Sequence, residues 1–227
     1  MQAEEQLEEQ RGDPPAPPAI VWVMCLIFVG FEGAFQLSEA FGNGGLRWIV
    51  SKQMAFFDLY FEAATAGRAA PMEFYWSFFT HSLLHGNLFH LIFNGVIFLS
   101  LGGAIVHRIG GLRFLILFFV CAAVGATTWG LIFVFENPVT HLVGASGGIF
   151  GFFGALKRWE WRWIGLTGAS PRRFWGTISA LILMNVLLFF FYSGGGGVAW
   201  EAHLGGFVAG WLIAPILAPR LVGPSPI

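Results

Sequence analysis

Six long apolar segments in a chain that is otherwise short of charge limit the possible folds more than any other feature. They lie near residues 20–41, 87–106, 112–134, 146–159, 174–193 and 200–219. Crossing a bilayer core of about 30 Å takes about 20 mostly apolar residues in a helix. Only 11% of the residues are charged, whereas a soluble domain carries roughly 25%. We therefore predict an all-α integral membrane protein with six transmembrane helices.

The two ends of the chain have the composition of tails. Residues 1–19 are acidic and then rich in proline, which predicts a flexible segment that cannot bury a core. We expect no secretory signal peptide, because the basic start is missing and the following apolar run is too long. Residues 20–219 form the predicted membrane domain, and residues 220–227 form a second tail. Cys25 and Cys121 lie in separate apolar runs, so we interpret them as buried thiols.

The distribution of Lys and Arg indicates how the predicted helices are oriented. With both termini on one side, the basic residues on that side are Arg11, Arg108, Arg113, Lys157, Arg158, Arg162, Arg172, Arg173 and Arg220. The opposite side has only Arg47, Lys52 and Arg68. Because basic residues accumulate on cytoplasmic segments, we expect both termini in the cytoplasm. The net charge of −1 provides no basic field that would indicate a nucleic-acid partner.

The fourth apolar segment is short. About a dozen residues separate Ser146 from the first charged residue, Lys157, and at 1.5 Å per residue they cover less than about 20 Å. With its basic end at the inner interface, Ser146 would lie below the outer surface, and residues 136–145 would dip into the membrane. Irregular backbone persists at that depth only when it is buried in protein or lines a wet cavity. The segment therefore predicts a cavity open to the outside, with Ser146 at its floor.

A serine flanked by glycines begins this fourth segment. The run from Gly144 to Gly148 matches the G-x-S-x-G pattern of nucleophilic serines, although that pattern normally lies in a soluble sheet protein. A serine in the first turn of a helix has free backbone N–H groups and the positive end of the helix dipole beside it. These groups can stabilise the oxyanion of an acyl-transfer reaction. The alternative is a stripe of small residues for helix packing.

A histidine lies near the start of the sixth segment. An ionisable side chain inside a span is costly, so His203 is a candidate functional residue. Gly206 and Gly210 share its helical stripe and would allow close approach to the glycine-rich fourth segment. That approach could bring the His203 ring within about 2.6–3.2 Å of the Ser146 hydroxyl, the distance that a nucleophile and its base require. The alternative is a structural histidine bonded to a backbone carbonyl.

Three histidines and an asparagine lie before and within the second segment. His90 and Asn94 are four residues apart and share a helix face, where a buried neutral amide suits an oxyanion hole. His81 and His85 have a spacing that zinc ligands use. They lack the glutamate of the H-E-x-x-H pattern, so we favour a structural loop role. The asparagine, the serine and the sixth-segment histidine all fall in the outer half of spans that run in one direction, which predicts a common membrane depth.

These motifs resemble those of the rhomboid family of intramembrane serine proteases. The similarity runs from about Phe74 to about Ala214. It comprises the H-x3-H-x4-H-x3-N run, the Leu-Gly-Gly that closes the second segment, the G-A-S-G turn and A-H-L-G-G-F-x-A-G. The resemblance implies a six-helix bundle with a long first outer loop, in a bacterial inner membrane, with its active-site cavity open to the outer side. It implies a serine endopeptidase with a Ser-His dyad and no cofactor or metal.

The family's residue roles carry over to matching positions of this chain. The resemblance makes Ser146 the nucleophile and His203 its general base. The oxyanion hole would combine the Ser146 backbone N–H with the side chains of His90 and Asn94. Phe150 would stack on the histidine, where the family often has a tyrosine. The supporting glycines would be Gly144, Gly147, Gly206 and Gly210.

Four other positions differ from the family pattern or have no role in it. Glu201 is two residues before the catalytic histidine and points to another helix face, so we exclude it as a third catalytic member. The pair Trp76-Ser77 stands where the family often has Trp-Arg, which leaves the anchoring of the first outer loop open. Glu32 and Glu39 lie near the first segment, where we expect a structural or interfacial role.

The implied substrate is a single-pass membrane protein that reaches the site through the surrounding lipid. We expect it to pass the fifth segment, with Phe93 in a side gate. We predict that four consecutive glycines form a mobile lid over the site: Gly194, Gly195, Gly196 and Gly197. The alternatives are a catalytically silent rhomboid-like binding or chaperone protein, a small transporter or channel, and a zinc protease. The intact serine and histidine favour the protease over the silent protein, and no oligomeric state follows from the sequence.

Overall fold

The computed structural model of the chain describes residues 16–42, 44–133, 140–191 and 198–218. Several predictions concern residues outside these ranges. These predictions are the flexible tail at residues 1–15, the part of the membrane dip at residues 136–139, the lid at Gly194 to Gly197 and the second tail at residues 220–227.

Within the described residues the chain is mostly helical. The helices are α1 (Ala19–Ala40), α2 (Gly45–Met54), α3 (Asp58–Thr65), α4 (Met72–Thr80), α5 (Leu88–Ile109), α6 (Gly111–Phe133), α7 (Ser146–Thr167), α8 (Arg172–Phe191) and α9 (Trp200–Leu217). A 3-10 turn covers His81–Leu83, and the short strands β1 (Phe56–Phe57) and β2 (His141–Leu142) pair antiparallel. The prediction of a helical protein is confirmed, but the strand pair was not foreseen.

Four of these helices, α1, α5, α6 and α8, are long and apolar enough to cross a membrane. Helices α7 and α9 fall outside this set. The second half of α7 carries four charged side chains, Lys157, Arg158, Glu160 and Arg162. Four such helices are sufficient for a multi-pass membrane protein, and the count of six spans stays a prediction.

Helix α7 is longer than the sequence indicated. It was predicted to end near residue 159, but it continues to Thr167 and ends at Gly168, which has a φ of 68°. The prediction was wrong because it ended the helix near its first charges, whereas lysine, arginine and glutamate are good helix formers. Lys157 and Glu160 form an ion pair along this helix. At 22 residues, α7 is about 33 Å long, so shortness no longer supports the predicted depth of Ser146.

Helices α5, α7 and α9 run in the same direction. Near their N-terminal ends, Phe150 of α7 stacks on His203 of α9. Further along, the indole N–H of Trp159 donates to the carbonyl of Ala214 near the end of α9. The guanidinium of Arg108, in the last turn of α5, lies 4.5 Å from the centre of the Trp159 ring. The polar N-terminal turns of all three helices therefore lie at one end of the bundle.

The core between α5, α6 and α7 is aromatic. Phe98 is fully buried and packs edge-on against Phe114 and Phe118, with ring centres 5.5 and 5.3 Å away. Phe152 stacks on Phe114 at 5.1 Å. Aromatic pairs of this kind add to the free energy of burial, so they stabilise the packing of the helices that carry the polar turns.

Helices α7 and α9 approach each other backbone to backbone. A Cβ at Gly206 would collide with the carbonyl oxygen of Gly147, and a Cβ at Gly210 would collide with that of Gly151. Small residues allow such close approach between membrane helices. The close packing predicted for this glycine stripe is therefore present, and it sets the first turn of α9 beside the first turn of α7.

The connection between α1 and α5, which we call the connecting loop (residues 41–87), is anchored by Arg47. Its guanidinium donates to both carboxylate oxygens of Glu32, at 2.9 and 3.0 Å, and to Glu39 at 2.9 Å. It also donates to the backbone carbonyl of His85 at 3.1 Å. Because Glu32 is buried in α1, this network ties the loop to the first helix. The two glutamates therefore have the structural role that the sequence left unspecified.

Candidate active site

The turn before α7 is held in place by the connecting loop. Strand β2 pairs with β1, and Asp58 accepts hydrogen bonds from both the backbone N–H and the hydroxyl of Thr140. The N–H of Gly144 donates to the carbonyl of His81 at 3.0 Å. These contacts satisfy several polar groups of residues 140–145 within the protein, so the turn does not depend on water for these hydrogen bonds.

The connecting loop has internal bonds of its own. The indole N–H of Trp76 donates to the carbonyl of Gln53 at 2.6 Å, and the hydroxyl of Ser77 donates to the carbonyl of Phe74 at 2.7 Å. The loop is therefore anchored without the Trp-Arg pair, through Arg47 and through these shorter-range bonds.

Ser146 is the first residue of α7 and is partly exposed. The first N–H groups of an α-helix lack partners within the helix, and the helix dipole places partial positive charge there. Ala145 occupies the capping position, and among the described residues no side chain caps this turn. The first turn of α7 can therefore offer backbone donors to a negatively charged oxygen beside Ser146.

His203 is held on two sides in the first turn of α9. Its ring stacks on that of Phe150, with centres 4.2 Å apart and planes inclined by 5°. Its Nδ1 forms a 2.5 Å hydrogen bond with the side-chain oxygen of Asn185 in α8. The residue that meets Nδ1 is thus an amide on another helix and not Glu201. Sequence reasoning missed Asn185, although a lone amide within an apolar span was a signal that could have found it.

Ser146 and His203 are neighbours across the α7–α9 interface. Phe150, one turn after Ser146, stacks on His203, and a Cβ at Gly147 would lie 3.6 Å from the carbonyl oxygen of Ala202. In the part of the chain that the structure describes, the Ser146 hydroxyl is not hydrogen-bonded to the His203 ring. Catalytic hydrogen bonds are often long in free enzymes and tighten around the substrate. The dyad therefore stays a prediction.

The ring of His90 lies against the turn that precedes Ser146. A Cβ at Gly144 would lie 2.8 Å from its Nε2. The N–H of Gly86 donates to Nδ1 of this ring at 3.4 Å, so a neutral His90 carries its proton on Nε2, the nitrogen nearest the turn. Asn94 is buried, and its amide donates to the His90 carbonyl at 3.0 Å. The structure brings His90 to the turn, whereas the observed bond of Asn94 stays within α5.

His81 and His85 contact other parts of the protein in ways that are typical of structural side chains. Nδ1 of His81 forms a 2.8 Å hydrogen bond with the carbonyl of Ser77. The ring of His85 packs edge-on against Phe28 and His90, with centres 5.3 and 5.2 Å away. In the described ranges, no group of three or more His, Cys, Asp or Glu residues is placed to hold a metal ion.

A cavity of about 600 Å³ opens between α8 and α9. Its lining consists of Phe150, Ile178, Leu181, Ile182, Asn185, Val186, Phe189, Phe190, Trp200, His203, Leu204 and Phe207. Apart from the amide, the imidazole and the indole N–H, these side chains are apolar, so the cavity is an apolar space that reaches His203. Phe93, the predicted gate residue, does not line this cavity; it lies on α5 and stacks on Phe89 with ring centres 6.3 Å apart.

The fold and the site define the chain as a multi-pass membrane protein, mostly helical, with a serine and a histidine near the same end of a tightly packed helix pair. The model of the rhomboid domain matches residues 73–220, which is more than half of the sequence. The chain belongs to the rhomboid family, whose members are intramembrane serine proteases.

Several relatives are similar to this chain over its membrane domain. The rhomboid protease GluP of Bacillus subtilis is 29% identical over 144 residues, which are 63% of this chain and 26% of that protein. The rhomboid-like protease 5 of Toxoplasma gondii is 34% identical over 57% of this chain and 14% of its own length. An uncharacterized protein of Mycobacterium bovis is 29% identical over 63% of this chain and 59% of its own length. The chain thus spans only part of the relatives that it matches.

Proposed function

We propose that the chain is an intramembrane serine endopeptidase that hydrolyses peptide bonds in or near transmembrane segments of other membrane proteins. Ser146 acts as the nucleophile and His203 as the general base. The observation that carries the proposal is the stacking of His203 on Phe150, one turn after Ser146 in a tightly packed helix pair. The alternative is a histidine with a purely structural role. That role would not explain why a serine lies beside it, at the uncapped start of α7.

The proposed reaction is acyl transfer. The Ser146 hydroxyl attacks the scissile carbonyl while Nε2 of His203 takes its proton. The resulting oxyanion accepts hydrogen bonds from the Ser146 N–H, from Nε2 of His90 and from the Asn94 amide, and one such donor contributes about 3 kcal/mol in a soluble protease. The amine leaves with the proton from His203, and water then hydrolyses the acyl enzyme by the same route. The Asn94 amide has a second N–H beyond the one bonded to His90.

The proposed membrane arrangement has all six long helices, including α7 and α9, crossing the bilayer. The connecting loop forms the long first outer loop, both termini lie in the cytoplasm, and the cavity opens to the outer side of a bacterial inner membrane. The positions of Arg108, Lys157 and Arg158 support this orientation. Arg108 is in the last turn of α5 and lies over Trp159, so it is level with the second half of α7, where Lys157 and Arg158 lie away from Ser146. The substrate is a single-pass membrane protein that unwinds near the cut, since an intact helix hides its carbonyls.

The proposal can be tested with the purified chain in phospholipid vesicles. A tagged single-pass protein is added, products are separated by size, and their masses locate the cut. We expect product from the wild type and none from Ser146→Ala or His203→Ala. A fluorophosphonate probe should label the wild type and not Ser146→Ala.

A matched control is Ser179→Ala, which removes an exposed serine from α8. This variant should cleave and label like the wild type. A wild-type protein that binds the substrate but gives neither product nor label would instead be a catalytically silent binding protein, and the proposal would be wrong.

A further inference from the structure

Asn185 contacts His203 from a helix that sequence reasoning connected only with substrate access. It lies in α8, within an apolar stretch, and its side-chain oxygen meets Nδ1 of His203 at 2.5 Å. The two residues are 18 positions apart and belong to different helices. A polar pair in this setting requires explanation, because a polar side chain inside a span is costly unless it is bonded.

A second hydrogen bond fixes the orientation of the Asn185 amide. Its nitrogen donates to the carbonyl of Leu181, one turn earlier in α8, at 2.9 Å. With the amide reversed, its oxygen would face that carbonyl oxygen, and two acceptors would repel each other. The nitrogen therefore stays on the Leu181 side, and the oxygen faces His203.

The orientation of the amide determines where His203 carries its proton. A carbonyl oxygen can only accept a hydrogen bond, so Nδ1 of His203 must be the N–H donor. In a neutral imidazole the other nitrogen, Nε2, is then unprotonated and can accept a proton. A base in the opposite tautomer could not take the serine proton at Nε2, and the loss of this orienting contact is costly in other serine proteases.

The geometry points to Asn185 as a positioning residue that fixes the tautomer and the ring plane of His203. Phe150 holds one face of the ring, and the amide holds its Nδ1 edge. This inference rests on the proposed function, since a defined tautomer matters only if His203 acts as a base. It assigns to α8 a direct role in preparing the base, beside the cavity that the same helix lines.

The first measurement is the ¹⁵N spectrum of His203 in the wild-type protein, with the signal assigned by its loss in His203→Ala. We expect the shift pattern of a neutral ring protonated on Nδ1. In Asn185→Leu, which keeps a similar volume without the acceptor, we expect a mixture that includes the Nε2-protonated form. A wild-type ring protonated on Nε2, or an unchanged pattern in the leucine variant, would overturn the inference. The wild-type spectrum decides even if the variant fails to fold.

The second measurement is the cleavage rate in the same vesicles. Loss of one buried hydrogen bond corresponds to about a tenfold to hundredfold decrease in kcat, with KM nearly unchanged because Asn185 does not act on the scissile bond. Asn185→Asp keeps an acceptor oxygen at the same reach, and its protonated side chain can donate to the Leu181 carbonyl as the amide does, so we expect it to recover most of the rate. Equal losses in the leucine and aspartate variants would show a merely structural role and count against the inference.

The matched control is Thr177→Val, on the same helix. The Thr177 hydroxyl donates to the carbonyl four residues earlier, as the Asn185 amide does, but the structure shows no bond from it to His203. The Thr177→Val variant should leave both kcat and the His203 spectrum unchanged. A decrease in kcat like that of Asn185→Leu would contradict the inference. If the wild type shows no cleavage at all, the proposed function fails, while the ¹⁵N spectrum still tests the Asn185–His203 bond by itself.

Discussion

At the scale of single residues, the site depends on rings and turns that have no room to move. His90 fills the space in which any side chain at position 144 would lie. Gly144 also has a φ of 128°, a backbone conformation that other residues rarely adopt. Position 144 therefore requires glycine for two separate reasons, the conformation of its backbone and the nearness of the His90 ring.

The substitution Gly144→Ala should both destabilise the protein and reduce cleavage. Backbone strain of this kind costs on the order of 1–3 kcal/mol, and the new methyl group would displace the His90 ring from the turn before Ser146. We expect a lower thermal unfolding midpoint in detergent and a large decrease in kcat at temperatures where the variant is still folded.

The control for this substitution is Gly168→Ala. Gly168 also has a positive φ, of 68°, but nothing lies within 4 Å of the position that its Cβ would occupy. Its variant should lose stability and keep the wild-type kcat. A Gly144→Ala protein that cleaves normally would show that the His90 position is not needed for the reaction.

At the scale of the elements, the pairing of α7 with α9 decides whether the two halves of the site meet. The pair has no side chains between Gly206 and the Gly147 carbonyl, so its spacing is set by backbone contact. Any added atom at this point must push the helices apart, and the first turns of the two helices would separate with them.

Gly206→Ala should therefore weaken both folding and cleavage. Overpacking a tight contact typically costs about 1–3 kcal/mol, and a shift of His203 away from Ser146 lowers kcat further. Gly176→Ala in α8 is the control, because nothing lies within 4 Å of its added Cβ. Thermal unfolding and cleavage assays should separate the two variants, and similar behaviour in both would contradict the importance of the close approach.

The connecting loop depends on the ion pair of Arg47 and Glu32. The hydrogen bonds to Glu32 raise the pKa of Arg47, so the guanidinium stays charged. Glu32 is buried and Arg47 is half-buried, so removing Arg47 leaves an uncompensated buried carboxylate, which is strongly destabilising. We expect Arg47→Ala to lower the free energy of unfolding by about 3 kcal/mol, measured in detergent.

A double-mutant cycle tests this explanation. Glu32→Gln removes the charge that Arg47→Ala leaves behind, so the double variant should be more stable than the sum of the single losses predicts. Additive losses would show that the loop is held mainly by other contacts, such as the Trp76–Gln53 hydrogen bond.

At the scale of the whole molecule, the bundle has two chemically different ends. One end carries Ser146, His203 and the connecting loop. At the other end, Arg113 donates to the Leu217 carbonyl, and the guanidinium of Arg158 lies 5.4 Å from the centre of the Trp211 ring. The proposed orientation in a membrane rests on this asymmetry.

The buried loop histidines predict an acid-sensitive fold. Burial lowers the pKa of His81 to about 4 and that of His85 to about 3, from an ordinary value of 6.5. Below pH 6.5 these two histidines become protonated in the unfolded chain but stay neutral in the folded protein. Their contribution to the free energy of unfolding is therefore greatest above pH 6.5 and is lost as the pH falls toward 4. Each histidine contributes a slope of about 1.4 kcal/mol per pH unit in this window.

The measurement is the free energy of unfolding between pH 7 and pH 4, for the wild type and for His85→Leu. Because the variant lacks one of the two rings, its stability should fall less steeply on acidification. Carboxylates contribute equally to both proteins, so the difference between the slopes isolates the histidine. Parallel curves would show that the burial of His85 does not govern the acid response.

The amino-acid sequence alone was enough to predict the long helices, the polar turns and the family resemblance, but not the short helices and strands around the connecting loop. A helix requires only contacts a few positions apart, so the apolar segments identified all six long helices, and the G-A-S-G and A-H-L-G-G motifs placed Ser146 and His203 near two helix starts. The end of α7 was misplaced for a related reason. Local composition shows where apolar residues stop, but it does not show that a charged stretch keeps its helical hydrogen bonds.

Which residues contact each other across the bundle became clear only from the packing of the helices. Asn185 contacts His203, Arg47 bridges Glu32 and His85, and strand β1 of the connecting loop pairs with β2 just before the turn to α7. None of these contacts follows from a local pattern. Each depends on the distance and rotation between elements far apart in the chain, which are set by the packing of the bundle as a whole, through glycine contacts and the aromatic core.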